Sequence, residues 1–528
     1  MSRRPPSRSW VALFVVLLLG ACAGPEPSAV VKGPVDGRSP TDEPGGAGDS
    51  SPAPDDDRPG DHASLSAWSD CGDGLECATA TVPRDWADPD GDTLDLSVIR
   101  RPANGEPTGS LLVNPGGPGV SGVEFLRSFV VGGIPDGLTD AFDVVSWDPR
   151  GTGGSSAIEC TTEEQWLEPD LDPTPDSQSD IDDIREQAET SLDRCEEAAG
   201  PLLDLVGTRA TVRDLEALRQ LLGDDGLTYL GYSYGTTIGL EYLRTFPTRV
   251  RAMVLDAVTI PGVEPVADTL TQARGFERTL DSYLADCPAR PSCPLGDDPK
   301  AALLDLVDEV EHIRVPASYV IGDDPTVREG TLGVGELYVA IVASLYSEAA
   351  WPTLDRGLAE LMDDPASGVT LLSLRDSYLG RAPDGTWDDS VDARVAIRCA
   401  DQVERAEQPE GDTDLIDDWS EELPFWGAWF AVGTPGCWGF DPAIEPLEPM
   451  PAGSVTEAPP VVLIGTTNDP ATPYEQAVEA QRVVVDSRLI TYEGDEHTIY
   501  RGTSACVDGA ATPYLVDLVV PDDVRCTD

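Results

Sequence analysis

The chain has 528 residues, with 96 Asp or Glu against 35 Lys or Arg and a formal net charge of −61. A surface of that sign repels a phosphate backbone, which excludes nucleic-acid binding. Most of these carboxylates are expected to form a solvated shell that keeps the chain soluble, and their field attracts cationic ligands.

At the N-terminus, Arg3, Arg4 and Arg8 precede an apolar stretch from Trp10 to Leu19 that ends in Leu19-Gly20-Ala21-Cys22. The run is too short for a comfortable membrane span. Small residues directly before a cysteine fit a lipoprotein signal over residues 1–21, with lipid carried on Cys22 and the protein anchored to the outer face of the membrane. A plain secretion signal with an incidental cysteine is the alternative, and it too predicts export. Residues 22–66 are rich in Pro, Gly, Ser and Asp without hydrophobic periodicity, which predicts a disordered tether. About forty such residues reach on the order of 35 Å.

From residue 67 strand-like runs alternate with helical ones, predicting α/β architecture around a mostly parallel sheet. Leu111-Leu112-Val113 reads as a strand and leads into Asn114-Pro115-Gly116-Gly117-Pro118-Gly119. Glycines let a backbone approach a substrate oxygen closely, and prolines restrict the loop. Further on, Thr211-Val212-Arg213-Asp214 reads as a capping box, with Leu215, Leu218 and Leu222 as an apolar stripe and Gly223 as the stop. The next strand, Leu227-Thr228-Tyr229-Leu230, runs into Gly231-Tyr232-Ser233-Tyr234-Gly235. Ile238, Tyr242 and Phe246 then follow at helical spacing until Pro247. A serine between glycines at a strand-to-helix turn is a nucleophile elbow, because strand and helix must pass closely on either side of the hydroxyl. With such an elbow present, the Gly116-Gly117 loop becomes the second half of an oxyanion hole, Tyr234 supplying the first N–H.

A serine nucleophile needs a base, and the chain has three histidines. His62 lies in the low-complexity stretch, and His312 follows a helical pattern whose Leu303, Leu306, Val307 and Val310 mark a buried face. His497 follows the strand-like Leu489-Ile490-Thr491-Tyr492 near the C-terminus and is the expected base. The order Ser, Asp, His calls for an acid between them. Asp469, one short loop after Val461-Val462-Leu463-Ile464, fits best, and Asp256, after Ala252-Met253-Val254-Leu255, competes with it. Residues 260–455 interrupt the alternation with helices, prolines and Trp351, Trp387, Trp419, Trp426, Trp429 and Trp438. The interruption reads as a lid between core segments 67–259 and 456–528, its tryptophans packing mainly within it.

These segments, together with Trp147-Asp148-Pro149-Arg150-Gly151-Thr152-Gly153 and Asn468-Asp469-Pro470-Ala471-Thr472-Pro473, resemble the secreted tripeptidyl-aminopeptidase branch of the prolyl-aminopeptidase-like serine hydrolases. The resemblance spans most of residues 70 to 526 and implies an α/β-hydrolase fold and an exopeptidase releasing short peptides, tripeptides foremost, from free N-termini. Asn468, where relatives carry Arg or Gly, and Glu496, where glycine is common, depart from the pattern. The residues by themselves support a serine hydrolase of any kind, so a carboxylesterase or lipase remains open, and less readily a non-catalytic peptide-binding lipoprotein.

Setting Cys22 aside from the eleven cysteines leaves Cys71, Cys77, Cys160, Cys195, Cys287, Cys293, Cys399, Cys437, Cys506 and Cys526. An even set in an exported chain predicts disulfides, paired sequentially in the simplest arrangement. Paired Cys-x-x-Cys spacings are lacking, which argues against zinc, and neither metal nor cofactor is expected. Asp401 and Glu404, after Arg398-Cys399, are candidate anchors for a substrate amine in the lid.

Overall fold

The computed structural model describes residues 58–528 apart from residues 167–171, 176, 321–326, 364–365, 383–384, 403–411, 434–436 and 438–445. The signal segment, Cys22, the tether to residue 57, Glu404 and Trp438 thus lie outside the described residues.

Eight strands make the body of one sheet: β1 (Glu76–Pro83), β2 (Thr93–Arg101), β3 (Gly109–Asn114), β4 (Phe142–Trp147), β5 (Leu227–Tyr232), β6 (Val250–Asp256), β7 (Val461–Thr466) and β8 (Ser487–Tyr492). Their spatial order is β1-β2-β4-β3-β5-β6-β7-β8, with short strands completing both edges. β1, β2 and β4 pair antiparallel, and from β4 onward every neighbour is parallel. β5 and β7 are buried at every position, as central parallel strands covered on both faces must be. One apolar cluster fills each face of the sheet, Tyr229, Ile238 and Leu463 on one side and Phe129, Leu230 and Tyr514 on the other.

Two sequence expectations shift. The folded body begins before residue 67: Ser64-Leu65 pairs with β1, and Pro59 is buried beside Gly60, whose N–H donates to Gln220 Oε1. The segment has no hydrophobic periodicity, and strand pairing together with the Gln220 side chain holds it. The helix expected to start with a capping box at Thr211 instead runs Thr208–Leu222 from Gly207. Asp214 is therefore interior to it, and its carboxylate is fully buried against the Arg150 guanidinium in a two-bond fork, with Trp86 Nε1 also donating. Gly223 closes the helix at φ 84° in the left-handed region, as its position suggested.

The expected lid is mainly helical with one antiparallel two-stranded ribbon, Val315–Tyr319 against Arg328–Leu332, and Tyr283, Ile341, Leu345, Trp351 and Trp426 pack in an apolar cluster that also takes in Ala471 of the core. Trp419 anchors a smaller cluster, and Trp387 stacks on Trp166 with ring centroids 5.1 Å apart. The ten cysteines form five disulfides in sequential order, Cys71–Cys77, Cys160–Cys195, Cys287–Cys293, Cys399–Cys437 and Cys506–Cys526.

Candidate active site

Ser233 sits between β5 and the helix Tyr234–Thr245 with φ 52° and ψ −123°, a conformation that an L-residue holds only under constraint. The glycines around it are required by space. A Cβ on Gly231 would meet the Gly235 oxygen at 2.5 Å, and one on Gly235 would meet the Asn114 oxygen at 2.7 Å. The Ser233 N–H donates to the Asp256 carbonyl at 2.9 Å, tying the elbow to the end of β6.

The glycine loop after β3 lies directly against this elbow. A Cβ on Gly116, at φ 92°, would come within 2.5 Å of the Tyr232 oxygen and 2.8 Å of the Tyr234 nitrogen. Gly116 N–H donates to its neighbour Asn114 Oδ1 at 2.9 Å, which leaves Gly117 as the loop's expected donor to an oxyanion. Tyr234 opens its helix, so its N–H has no carbonyl four residues back within the helix. Asp148 steadies the loop's far end, accepting from Ser121 Oγ and Val123 N–H on one oxygen and from Gly154 N–H on the other.

Asp469 and His497 come together 28 residues apart in sequence. His497 Nδ1 lies 2.8 and 2.9 Å from the two Asp469 oxygens, which makes Nδ1–H the donor. The carboxylate is further fixed by the N–H groups of Ala471 and Thr472 and by the Thr472 hydroxyl. Ser233, Asp469 and His497 are all buried, and Ser233 Oγ and His497 Nε2 carry no hydrogen bond. Asp256 joins the two halves: its carbonyl accepts from Ser233 N–H, and its Oδ2 accepts from Ile499 N–H and Tyr500 N–H at 2.9 and 2.7 Å. The competing acid is thus occupied by the backbone of the histidine loop, and burial pushes its carboxyl up to about 7.

A cavity of about 450 Å³ opens on His497, walled by Phe125, Phe129, Tyr232, Tyr346 and Leu374. Apolar walls beside a polar centre are what a site binding an organic substrate needs.

The sequence model of the α/β-hydrolase fold matches residues 109–500. The chain belongs to the α/β-hydrolase family. Serine protease Hip1 of Mycobacterium tuberculosis is 38% identical to it over 85% of this chain and 86% of its own length. Carboxylesterase B of the same organism is 34% identical over 100% of this chain and 99% of its own. Tripeptidyl aminopeptidase of Streptomyces coelicolor is 30% identical over 85% and 83%.

As in any α/β-hydrolase, the sheet presents the site at the carboxyl ends of its strands, and here the lid also reaches it. Tyr346, which the sequence did not single out, accepts the His497 N–H through its carbonyl at 3.1 Å and sets its ring edge-on to the imidazole, centroids 5.2 Å apart. Glu496 lines the cavity and accepts from Glu348 N–H; burial foremost, then the Glu348 and Asp495 charges, push its carboxyl up to about 6. Asp401 is not a free amine anchor. Its two oxygens accept from the N–H and hydroxyl of Thr208, a core residue whose own N–H begins a helix and needs an acceptor.

Proposed function

We propose that the chain is an exported serine exopeptidase that releases tripeptides from free N-termini through an acyl-enzyme. Ser233 is the nucleophile, His497 the general base and acid, and Asp469 the carboxylate that holds the imidazole. The observation that carries this reading is the Asp469–His497 pair: with Nδ1–H committed to the carboxylate, Nε2 is left as the proton acceptor. Nε2 removes the Ser233 proton as Oγ attacks the peptide carbonyl, and the developing oxyanion is received by the Tyr234 and Gly117 N–H groups. The imidazolium then protonates the leaving amine, and water, activated by the same nitrogen, releases the acyl group.

The peptide direction rests on the relatives named as a protease and a tripeptidyl aminopeptidase. The relative named carboxylesterase B, aligned along the whole chain, favours an esterase as the second reading. Tripeptide anilides with free and acetylated N-termini, compared with an aryl ester, separate them. Preference for the free amine supports the exopeptidase, and turnover of the ester alone replaces it with the esterase.

Export rests on Arg3, Arg4 and Arg8 before the apolar run, on Cys22, and on the five disulfides, which belong to oxidising compartments. Incorporation of radiolabelled fatty acid in the producing cell, lost on Cys22→Ser, is the expected result for a lipoprotein. Equal labelling of both chains would contradict it.

A further inference from the structure

Asp401, which is no free amine anchor, ends the lid helix Ser390–Asp401 and stands at the head of a chain of hydrogen bonds into the active site. Its Oδ1 accepts the Thr208 N–H at 2.8 Å, and its Oδ2 accepts the Thr208 hydroxyl. The Thr208 oxygen in turn meets the Tyr234 hydroxyl. Thr208 has one hydroxyl proton and the carboxylate takes it, so Tyr234 donates and Thr208 accepts. Burial foremost, then the Asp401 charge, holds the Tyr234 phenol well above its ordinary range, which keeps the proton in place for that bond. The chain therefore runs in one direction, from Tyr234 through Thr208 to the lid carboxylate.

The far end of this chain is the residue whose N–H is assigned to the oxyanion. That N–H belongs to the Ser233–Tyr234 peptide, whose plane is turned by the Ser233 ψ of −123° beside a φ of 52°. A backbone so strained persists only where its surroundings over-determine it. The oxygen end of the peptide is fixed, because the Ser233 carbonyl accepts from the Thr236 N–H at 2.7 Å and from the Thr236 hydroxyl at 2.6 Å. The nitrogen end opens a helix and has no such bond within it. What holds that end is the Tyr234 side chain, buried in the core with its hydroxyl tied to Thr208. The same lid helix packs on the other donor-bearing segment, its Ser390 and Ala393 lying against Gly119 of the glycine loop. One helix thus meets both halves of the oxyanion hole, and Asp401 is its tie to the Tyr234 half.

We propose that Asp401 is a positioning residue for the reaction, acting through Thr208 and the Tyr234 hydroxyl to fix the direction of the Tyr234 N–H, an assignment that rests on the serine-hydrolase mechanism above. A misdirected donor loses most where charge develops on the substrate oxygen, in the transition state, and little in the ground state. Breaking the chain therefore lowers kcat and leaves KM.

The test is steady-state kinetics of the whole protein on whichever of the tripeptide anilide and the aryl ester it cleaves. Tyr234→Phe keeps the backbone N–H and removes one neutral hydrogen bond; kcat is expected to fall about fivefold with KM within about twofold. Thr208→Val, and Asp401→Asn with a donor where a carboxylate oxygen accepted, are expected to do the same, while Thr208→Ser keeps kcat within about twofold. Either change combined with Tyr234→Phe should cost no more than the single changes, because both cut one chain. Unchanged kcat in folded Tyr234→Phe or Asp401→Asn, or losses that multiply in the double variant, overturns the proposal. Should Thr208→Val or Asp401→Asn fail to fold by circular dichroism, the other completes the cycle with Tyr234→Phe and is read the same way. Full turnover in Ser233→Ala would remove the mechanism itself, whereas an inactive Ser233→Ala beside an unimpaired Tyr234→Phe overturns only the part given to Asp401.

Discussion

Asp256 and Asp469 stand at or just beyond the carboxyl ends of neighbouring strands, yet their partners give them different work. Asp469 faces the imidazole, whereas Asp256 accepts from Ile499 N–H and Tyr500 N–H and so sets the loop on which His497 is carried. Asp469→Asn is expected to lower kcat about 10⁴-fold, the loss seen when a triad histidine is no longer held in the right tautomer. Asp256→Asn keeps an acceptor oxygen for both loop N–H groups and is expected to cost about tenfold or less, because neutral hydrogen bonds replace the two made to the carboxylate. Steady-state kinetics of both variants decides this, and the reverse order would move the acid to β6. Gly116→Ala meets the Tyr232 oxygen and the Tyr234 nitrogen and is strained at φ 92°, so loss of a well-placed oxyanion donor predicts a fall in kcat of about 10²-fold or more. Ser233, His497 and Asp469 were legible because elbow spacing and histidine scarcity leave few partners. The tie between Asp256 and the histidine loop was not, since its bonds run to backbone N–H groups that have no signature in residue type.

The lid helix Ser390–Asp401 and the residue before it supply one set of ties to the core, beside those of the first lid helix (Pro265–Asp286) to the acid loop and of Tyr346 and Glu348 to the histidine loop. Asp389 accepts from Gly153 N–H, Asp392 from Cys160 N–H, Thr161 N–H and the Thr161 hydroxyl, and Asp401 from Thr208. The same helix presses on the oxyanion loop: a Cβ on Gly119 would come within 2.5 Å of the Ser390 oxygen. Lid position and oxyanion geometry are thus mechanically linked. Asp392→Ala removes the acceptor of three donors, and we expect faster amide exchange across residues 390–401 together with about a tenfold fall in kcat/KM. Normal exchange with the same kinetic loss would refute the linkage. The alternation of strands and helices revealed the core elements, and the long interruption revealed the lid. Its attachment points through Ser390–Asp401 were hidden because the bonded residues lie more than 190 positions apart, as with Asp392 and Cys160, and an acidic sequence offers many equivalent carboxylates. The Thr211 capping box failed for a related reason, Asp214 being drawn to the buried Arg150 from another motif.

Across the whole molecule the net charge of −61 makes self-repulsion a standing cost of compactness. Added salt is therefore expected to raise the thermal midpoint by screening it. Acidification acts through named groups as well: burial pushes Asp256 and Asp401 up to about 7 and Asp389 and Glu496 up to about 6. Each has a folded value above its unfolded one, so the folded chain binds more protons between about pH 4 and pH 7. Stability is consequently greatest at the acid end of that window and falls as pH rises through it. Urea midpoints should climb from about pH 7.5 to about pH 5.5, and Asp256→Asn should flatten the slope; a midpoint that drops on acidification would contradict the assignment. The catalytic claim itself is tested most directly by mass spectrometry after reaction with a tripeptidyl phosphonate bearing a free N-terminus. The expected result is a single adduct on Ser233, lost in His497→Ala, whereas an adduct on another residue, or undiminished labelling without His497, would contradict the account.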